Sequence, residues 1–442
     1  MNPISKLRFD SLAGYSRTWW MPYVVRELGW FESGEERVLG MLVFDKSDDD
    51  YACYVLGRDA KNRFRTVDLE CSIASESAAT ETLERMLTHA ATLPAEEFYQ
   101  GDEVGRPVDF FSAVVPPETQ SPSFKLLISG AGYSPALGLL SEITHYFEDP
   151  DGNFVQQFQS GGFSARLWEL YLYALFTEIG YGVIRDHAAP DFHLEGPFGQ
   201  IFVEATTVNP SALPPDAEEL ETLDYFQNYV PIKFGSALYS KLQEKYWELP
   251  HVTGNPLVFS IQDFQSGKAM TWSNSALVEY LYGIRQLERR NQDGTTAIVS
   301  EPVTSYEWKG KRIAAGFFLQ PDSENVSAVL ANPSGTLSKF NRMGFLAGFG
   351  DRRIRMLRKG IAYNDGSLYP EDFFLEVHSA GYSEAWCEGL SVYHNPNAKH
   401  PLPVDAFPCA AHHTSRDGRI VSRRPSFYPV GSITAIFSSD QT

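Results

Sequence analysis

Apolar and polar positions alternate in short runs near the start of the chain. Residues 30–75 contain three β-rich runs separated by polar turns at 46–50 and 59–62, which is the pattern of an antiparallel meander. A helix is predicted from about 76 to 92. Proline and acidic residues are frequent after this helix, so a linker or domain edge is predicted within 115–150.

The pattern changes in the middle of the chain. An apolar run from residue 163 predicts a helix of about 17 residues that ends at Gly180, because glycine suits the left-handed helix C-cap. Three short β-like runs follow, with the sequences GVIRD, PDFHLEG and QIFVEATTV. A helix at 228–249, a strand at PLVFSIQDF and a helix at 274–291 come next, an order that fits an α/β sandwich.

These elements predict the fold class and the domain organisation. We expect an α/β protein in which helices flank a central mixed β-sheet, preceded by an N-terminal α+β domain. At roughly 150 residues per domain, 442 residues correspond to two or three domains. The predicted boundaries are 1–140 for the N-terminal domain, 141–300 for the core and 301–442 for a C-terminal extension of the core.

Composition indicates a folded protein outside the membrane. Hydrophobic residues make up 43% and charged residues 21%, values typical of globular chains. The four cysteines form no CxxC pair, so we expect reduced thiols and a cytoplasmic location. Neither a membrane span of roughly 18 to 20 apolar residues nor a secretory leader is predicted.

Charge is unevenly distributed along the chain. The net charge is −19, yet residues 301–442 carry 15 Lys and Arg against 14 Asp and Glu. One basic run in this part is predicted to contact the phosphate backbone of DNA or RNA. Its candidate residues are Lys339, Arg342, Arg352, Arg353, Arg355 and Arg358.

Asp191 and Glu204 are the most informative pair of residues. If GPFGQ turns the chain, a register with Leu194 opposite Ile201 also places Asp191 opposite Glu204, on one face of the hairpin. Opposite residues have Cβ atoms roughly 4.5 to 5.5 Å apart, so two carboxylates there need a positive partner. Mg²⁺ fits, since it binds one or two carboxylates together with water and phosphate.

Glu169 is a third candidate ligand. It lies within the apolar helix, whose composition leaves little room for a solvated face, and a buried carboxylate needs a partner. It either faces the metal site or forms an ion pair with Arg166, three residues earlier.

These residues carry a resemblance to a nuclease family. A helix with a glutamate, a short strand, Pro190-Asp191, a spacer and the run ending in Glu204-Ala205-Thr206 resemble the PD-(D/E)XK nuclease superfamily, with its restriction-endonuclease-like fold. The resemblance covers about residues 160–265. It implies that Asp191 and Glu204 bind Mg²⁺ or Mn²⁺, but Thr206 stands where the family has its lysine. The C-terminal part also resembles uncharacterised bacterial proteins.

Some members of the superfamily supply the missing lysine from the next helix. In the predicted helix 228–249, Lys241 lies flush with the apolar stripe that should pack on the sheet. The alternative is a lysine that snorkels from the edge of this stripe. Lys233 and Lys245 are the next candidates.

The sequence therefore predicts a metal-dependent nuclease that cleaves nucleic acid, with bacterial defence as a suggested setting. The alternative is an inactive relative of the same fold that binds nucleic acid or protein. A second copy of the chain or a partner protein is expected to bind the N-terminal domain. The Cys and His residues between 387 and 413 have the types of zinc ligands but lack the usual tight pairs. Nucleotide-binding and serine-hydrolase motifs are absent.

Overall fold

The structure is a computed structural model, and it describes residues 1–105, 107–149, 152–211, 215–216, 218–220, 222–266 and 273–438. The helices are α1 Lys6–Ala13, α2 Met21–Val24, α3 Glu76–Ala90, α4 Pro122–Ser129, α5 Ser134–Tyr146, α6 Phe154–Gln159, α7 Phe163–Ile179, α8 Val230–Gln243, α9 Ser273–Tyr282 and α10 Leu337–Leu346. Strands β1 to β10 are Asn2–Pro3, Val25–Ser33, Val38–Asp45, Asp50–Arg58, Phe64–Ile73, Gly182–Ile184, Phe192–Gly196, Gly199–Val208, Leu257–Asp263 and Ile284–Arg290. Strands β11 to β20 are Thr296–Pro302, Ser305–Trp308, Lys311–Ala314, Ala328–Ala331, Ile354–Asn364, Glu371–Glu376, Ser391–His394, Ala411–Arg416, Arg419–Arg423 and Phe427–Ser438.

The N-terminal part contains the predicted meander. Strands β1 to β5 form a five-stranded antiparallel sheet in chain order. Helix α3 follows close to the predicted bounds, and Ser75 caps it by accepting a hydrogen bond from the Ala78 backbone N–H. Leu83 and Leu87 of this helix are buried against the sheet.

The central sheet has eight strands in the order β19-β18-β17-β14-β9-β8-β7-β6. Strands β6, β7 and β8 form an antiparallel meander at one edge. Strand β9 runs parallel to β8 and follows it through helix α8. The sheet is therefore mixed, and the predicted α/β class is confirmed.

Helices cover both faces of this sheet. Along β8, Ile201 and Val203 belong to the core that includes α7, whereas Phe202 and Val208 belong to the core that includes α8. This alternation follows from the two-residue period of a strand. Helix α7 ends as predicted at Gly180, whose φ of +98° is the left-handed C-cap conformation.

The stretch 115–150, expected to be a linker or a domain edge, is mostly helical, so the linker alternative is wrong. Helices α4 and α5 occupy most of this stretch, and residue 150 lies outside the described residues. Leu139, Leu140 and Ile143 of α5 are buried in the core that also contains the central sheet. Proline misled the prediction, because Pro122 lies in the first turn of α4, where its missing N–H costs nothing.

The helix expected at 274–291 is only half right. Helix α9 ends at Tyr282, and Gly283 has a φ of +66° that reverses the chain. Residues 284–290 then form β10, which pairs with β11 in an antiparallel hairpin. Helix α8 is also shorter than the predicted 228–249, since Lys245 adopts a left-handed conformation with φ +51°.

Among the described residues, no single helix has the length and apolarity needed to cross a membrane. The pair Pro122–Ser129 and Ala131–Tyr146 reaches that composition only when joined across a bend of 82°.

Candidate functional site

The β7–β8 hairpin brings Asp191 and Glu204 together. Leu194 pairs with Ile201, which is the predicted register. Asp191 directly precedes β7, and its backbone N–H donates to Glu204 Oε2 at 3.3 Å. Its own Oδ2 accepts the backbone N–H of Ala205 at 2.8 Å. The two acidic residues are thus bound to each other's strand.

Helix α8 and the turn after it supply two donors to the same carboxylate. Lys241 Nζ lies 2.5 Å from Glu204 Oε1, and the Tyr246 hydroxyl donates to this oxygen at 2.8 Å. Glu204 is buried, with 5% of its side chain exposed, while the Lys241 side chain is 30% exposed. The helical lysine predicted to approach the acidic pair therefore contacts it directly.

The site holds its protons more tightly than free side chains do. Burial, followed by repulsion from Asp191, raises the pKa of Glu204 to about 7 against the opposing effect of Lys241. Burial also raises the pKa of Asp191. Lys241 is itself desolvated, yet the Glu204 carboxylate raises the pKa of its amine and keeps it charged. Lys241 therefore compensates only part of the negative charge that Asp191 and Glu204 carry when both are ionised.

Glu169 is held by arginines. Arg166 Nη1 lies 2.7 Å from Glu169 Oε1, and Arg185 Nη2 lies 3.3 Å from Oε2. The ion-pair alternative with Arg166 is therefore confirmed, and both oxygens of the predicted third ligand are occupied. Burial and the charge of Asp191 nevertheless raise the pKa of Glu169 to about 7, which places it within electrostatic reach of the acidic pair.

The other residues considered near the site lie apart from Glu204. Lys233 Nζ hydrogen-bonds to Ser211 Oγ at 3.0 Å, and Lys245 lies 3.8 Å from Glu248. Thr206 lies two residues beyond Glu204 on β8, so it shares the face of that carboxylate. The His193 ring stacks on Phe202 with centroids 4.7 Å apart.

Half of the predicted basic nucleic-acid surface is inside the protein. Lys339, Arg342 and Arg358 are buried around Glu384, with N–O distances of 3.2, 2.7 and 3.6 Å. They cannot contact a phosphate backbone, so the prediction for these three is corrected. The sequence offered no sign of this partner, which lies at least 26 positions away.

The remaining three arginines of the predicted surface are exposed. Arg352, Arg353 and Arg355 lie at or near the start of β15. Arg353 pairs with Asp351 at 2.8 Å, and Arg355 Nη1 donates to the backbone carbonyl of Arg352. A phosphate contact by these residues stays a prediction.

The acidic pair fits a hard divalent cation in charge and in donor type. Among the described residues, no three or more His, Cys, Asp or Glu side chains are arranged around a common metal position. Mg²⁺ needs fewer protein ligands, because water and substrate phosphate complete its shell. Asp191 and Glu204 supply two carboxylates, and burial is the largest cause of their raised pKa values. Zinc ligation by the C-terminal Cys and His residues gains no support from this arrangement.

Sequence reasoning missed Tyr246 and Arg185. Tyr246 follows Lys241 by five residues in the turn that ends α8, a position that the predicted helix placed inside a longer α8. Arg185 is the fourth residue of the run GVIRD, and nothing in the sequence links it to Glu169. A scan of protein-family models, a search of the curated proteins and a search of solved structures each found no match.

Proposed function

We propose that the chain is a Mg²⁺- or Mn²⁺-dependent nuclease with a PD-(D/E)XK-like core that cleaves phosphodiester bonds of DNA or RNA. One observation carries the proposal: the amine of Lys241 meets Glu204 at 2.5 Å, beside Asp191 on the partner strand. Two acidic residues and one lysine are the side chains that this chemistry needs, and they come from three separate elements.

Topology supports the proposal. The order of α7, the antiparallel meander β6-β7-β8, α8 and the parallel strand β9 is the order on which the resemblance rests. The main departure from the family pattern is Thr206, which stands at the lysine position. Lys241 would supply the missing amine. The lysine reaches the carboxylate from the helix instead of from β8.

Each residue has a role in the proposed reaction. Asp191 and Glu204 would hold the cation, which when bound would lower the pKa of water and stabilise charge on the phosphate. Lys241 would orient the attacking water toward phosphorus, and its charge would stabilise the developing negative charge. Tyr246 fixes the Glu204 carboxylate through its hydroxyl.

A second candidate function is a binding module that has lost catalysis. The observation favouring it is the ion pair itself, because Lys241 occupies an oxygen of Glu204 that a metal ligand would otherwise offer. Such a protein would bind nucleic acid without cutting it.

Asp191→Ala tests the proposal. We expect loss of Mn²⁺ binding in calorimetry and loss of cleavage of labelled DNA and RNA, with the fold retained. The melting temperature should stay or rise, because repulsion between carboxylates is relieved. Glu195→Ala is the matched control, since it removes an acid from the same hairpin.

Unchanged cleavage by Asp191→Ala would refute the nuclease proposal. Metal binding without cleavage in the unaltered protein would favour the binding module.

A further inference from the structure

A cleft with a volume of about 880 Å³ lies between the N-terminal sheet and the edge of the central sheet. One wall comes from α1, the segment after it and strands β4 and β5. The other wall comes from α5, α7 and residues 183–186 at the end of β6. Volumes of 300 to 1,000 Å³ are typical of small-molecule sites.

Cations outnumber acids among the residues that line the cleft, although the chain as a whole is acidic. Its lining includes five cations and three acids, while the whole chain has a net charge of −19. The cations are Arg17, Lys61, Arg63, Arg65 and Arg185, and the acids are Asp102, Glu148 and Asp186. Acids outside the lining pair with most of these cations: Arg17 with Asp10 and Glu27, Arg63 with Asp59 and Arg185 with Glu169. An anionic ligand would therefore depend on the donors that these acids leave free.

Two of these cations have donors to spare. Lys61 Nζ makes no hydrogen bond or ion pair with the described residues, whereas Arg63 and Arg65 are paired with Asp59 and Asp102. Arg185 is 7% exposed, and its Nη1 is buried without a hydrogen-bond partner in the described structure. A buried guanidinium donor without a partner is costly, and an anion in the cleft would satisfy it.

Aromatic side chains complete the lining. Trp20 is 51% exposed and has no aromatic ring stacked on it among the described residues. Tyr15 stacks on Tyr173 with ring centroids 5.2 Å apart and contacts Tyr146 in a tilted arrangement at 5.3 Å. An exposed indole and cations with free donors in one cleft are the groups that bind a base together with its phosphate.

We propose that this cleft binds one nucleotide unit, with the phosphate on Lys61 and Arg185 and the base on Trp20. The inference rests on the proposed function in so far as the nucleotide belongs to the strand that is cut. Arg185 joins the two sites, because its Nη2 pairs with Glu169 while the residue also lines the cleft, and its buried Nη1 has no hydrogen-bond partner among the described residues. A free nucleotide has the same chemistry, and the experiment separates the two sources.

Binding is measured in EDTA, where no cleavage occurs. The probes are a fluorescein-labelled ten-residue oligo(dT) strand and AMP. We expect Trp20→Ala and Lys61→Ala each to weaken binding of the strand about tenfold or more. Lys61→Ala should also reduce the slope of log affinity against log salt by about 0.7.

Two variants remove similar side chains that are not part of the cleft lining. Lys125→Ala and Tyr369→Ala change an exposed lysine and an exposed tyrosine, and both should bind within twofold of the unaltered protein. If AMP alone binds and depends on Trp20 and Lys61, the ligand is a free nucleotide. Binding of neither probe, or equal loss in the control variants, would overturn the proposal.

The result is independent of catalysis. Strand binding that depends on Trp20 while Mg²⁺ supports no cleavage would refute the nuclease proposal and keep this inference. If Trp20→Ala and Lys61→Ala leave both cleavage and strand affinity unchanged, the cleft inference is refuted and the nuclease proposal is kept.

Discussion

Lys241 decides between the two candidate functions at the scale of single residues. Lys241→Met removes the amine beside Glu204 and keeps a side chain of similar length. We expect turnover to fall by 10² or more, the usual scale for a positioned catalytic group, while Mn²⁺ binding survives. Lys245→Met is the control, because Lys245 lies on the same segment but pairs with Glu248.

Thr206→Lys completes this test. An amine two residues after Glu204 points to the same face of the sheet, so Thr206→Lys should partly restore cleavage to Lys241→Met. If Thr206→Lys instead creates cleavage in a protein that otherwise only binds metal, the chain is a lapsed nuclease. Full activity of Lys241→Met would show that the proposed role of Lys241 is wrong.

Glu204 should make stability depend on pH. Its pKa is raised from an ordinary value near 4.5 to about 7, so the folded state holds this proton more tightly. Stability therefore falls as pH rises from about 4.5 to 7, by on the order of 3 kcal/mol in all. Urea unfolding should show this fall in the unaltered protein and a flatter dependence in Glu204→Gln.

Glu195→Gln, on the same hairpin, should retain the full pH dependence. If the free energy of unfolding of Glu204→Gln changed with pH as steeply as that of the unaltered protein, the raised pKa would not belong to Glu204.

The central acidic pair could be predicted because its geometry is local. The sum of residue numbers across a hairpin fixes every partner once one pair is known, and Leu194 with Ile201 sets that sum. Arg185 and Glu169 meet across α7 and β6. No periodicity links these two positions, so only the folded chain reveals their contact.

At the scale of elements, regular patterns predicted well and chain reversals did not. The meander and α7 follow from alternation and a terminal glycine. The strand β10 was taken for helix because Gly283 ends α9 within a run of otherwise helix-compatible residues. The α4–α5 pair was missed because its prolines lie in first helical turns, where they start helices instead of breaking them.

Gly344 tests the packing of α5, where a linker was expected. A Cβ at position 344 would lie 2.2 Å from the carbonyl oxygen of Pro135, and backbone cannot move aside as a flexible side chain does. We expect Gly344→Ala to lower the free energy of unfolding by about 1 to 3 kcal/mol, despite the helix propensity of alanine. Gly161→Ala meets no atom within 4 Å and should be close to neutral. Equal urea midpoints for the two variants would contradict the close approach of α5 and α10.

The whole molecule joins its N-terminal sheet to its central sheet. Leu39 and Phe64 of the first sheet share one buried cluster with Leu172 of α7 and Val258 of β9. The sequence predicted a domain boundary between these two sheets. A hydrophobic pattern indicates which residues are buried, but it does not indicate which elements they pack against. The proposed nucleotide cleft lies at this junction, so it was beyond any prediction from one segment.

Charge at the scale of the whole molecule gives the last test. A net charge of −19 repels nucleic acid, and the cations buried around Glu384 are not on the surface to contact it. If the exposed Arg352, Arg353 and Arg355 bind duplex DNA, their joint replacement with Ala should reduce the salt slope by up to about 0.9 per lost contact.

The control replaces the exposed Arg289, Arg290 and Arg419 with Ala, which changes the net charge equally at other positions. Equal effects of the two triple variants would show that long-range charge alone matters. An effect of the first variant on duplex DNA, with strand binding in the cleft unchanged, would assign the two surfaces to different parts of one substrate. The two surfaces can be tested separately, because Arg352, Arg353 and Arg355 are not part of the cleft lining.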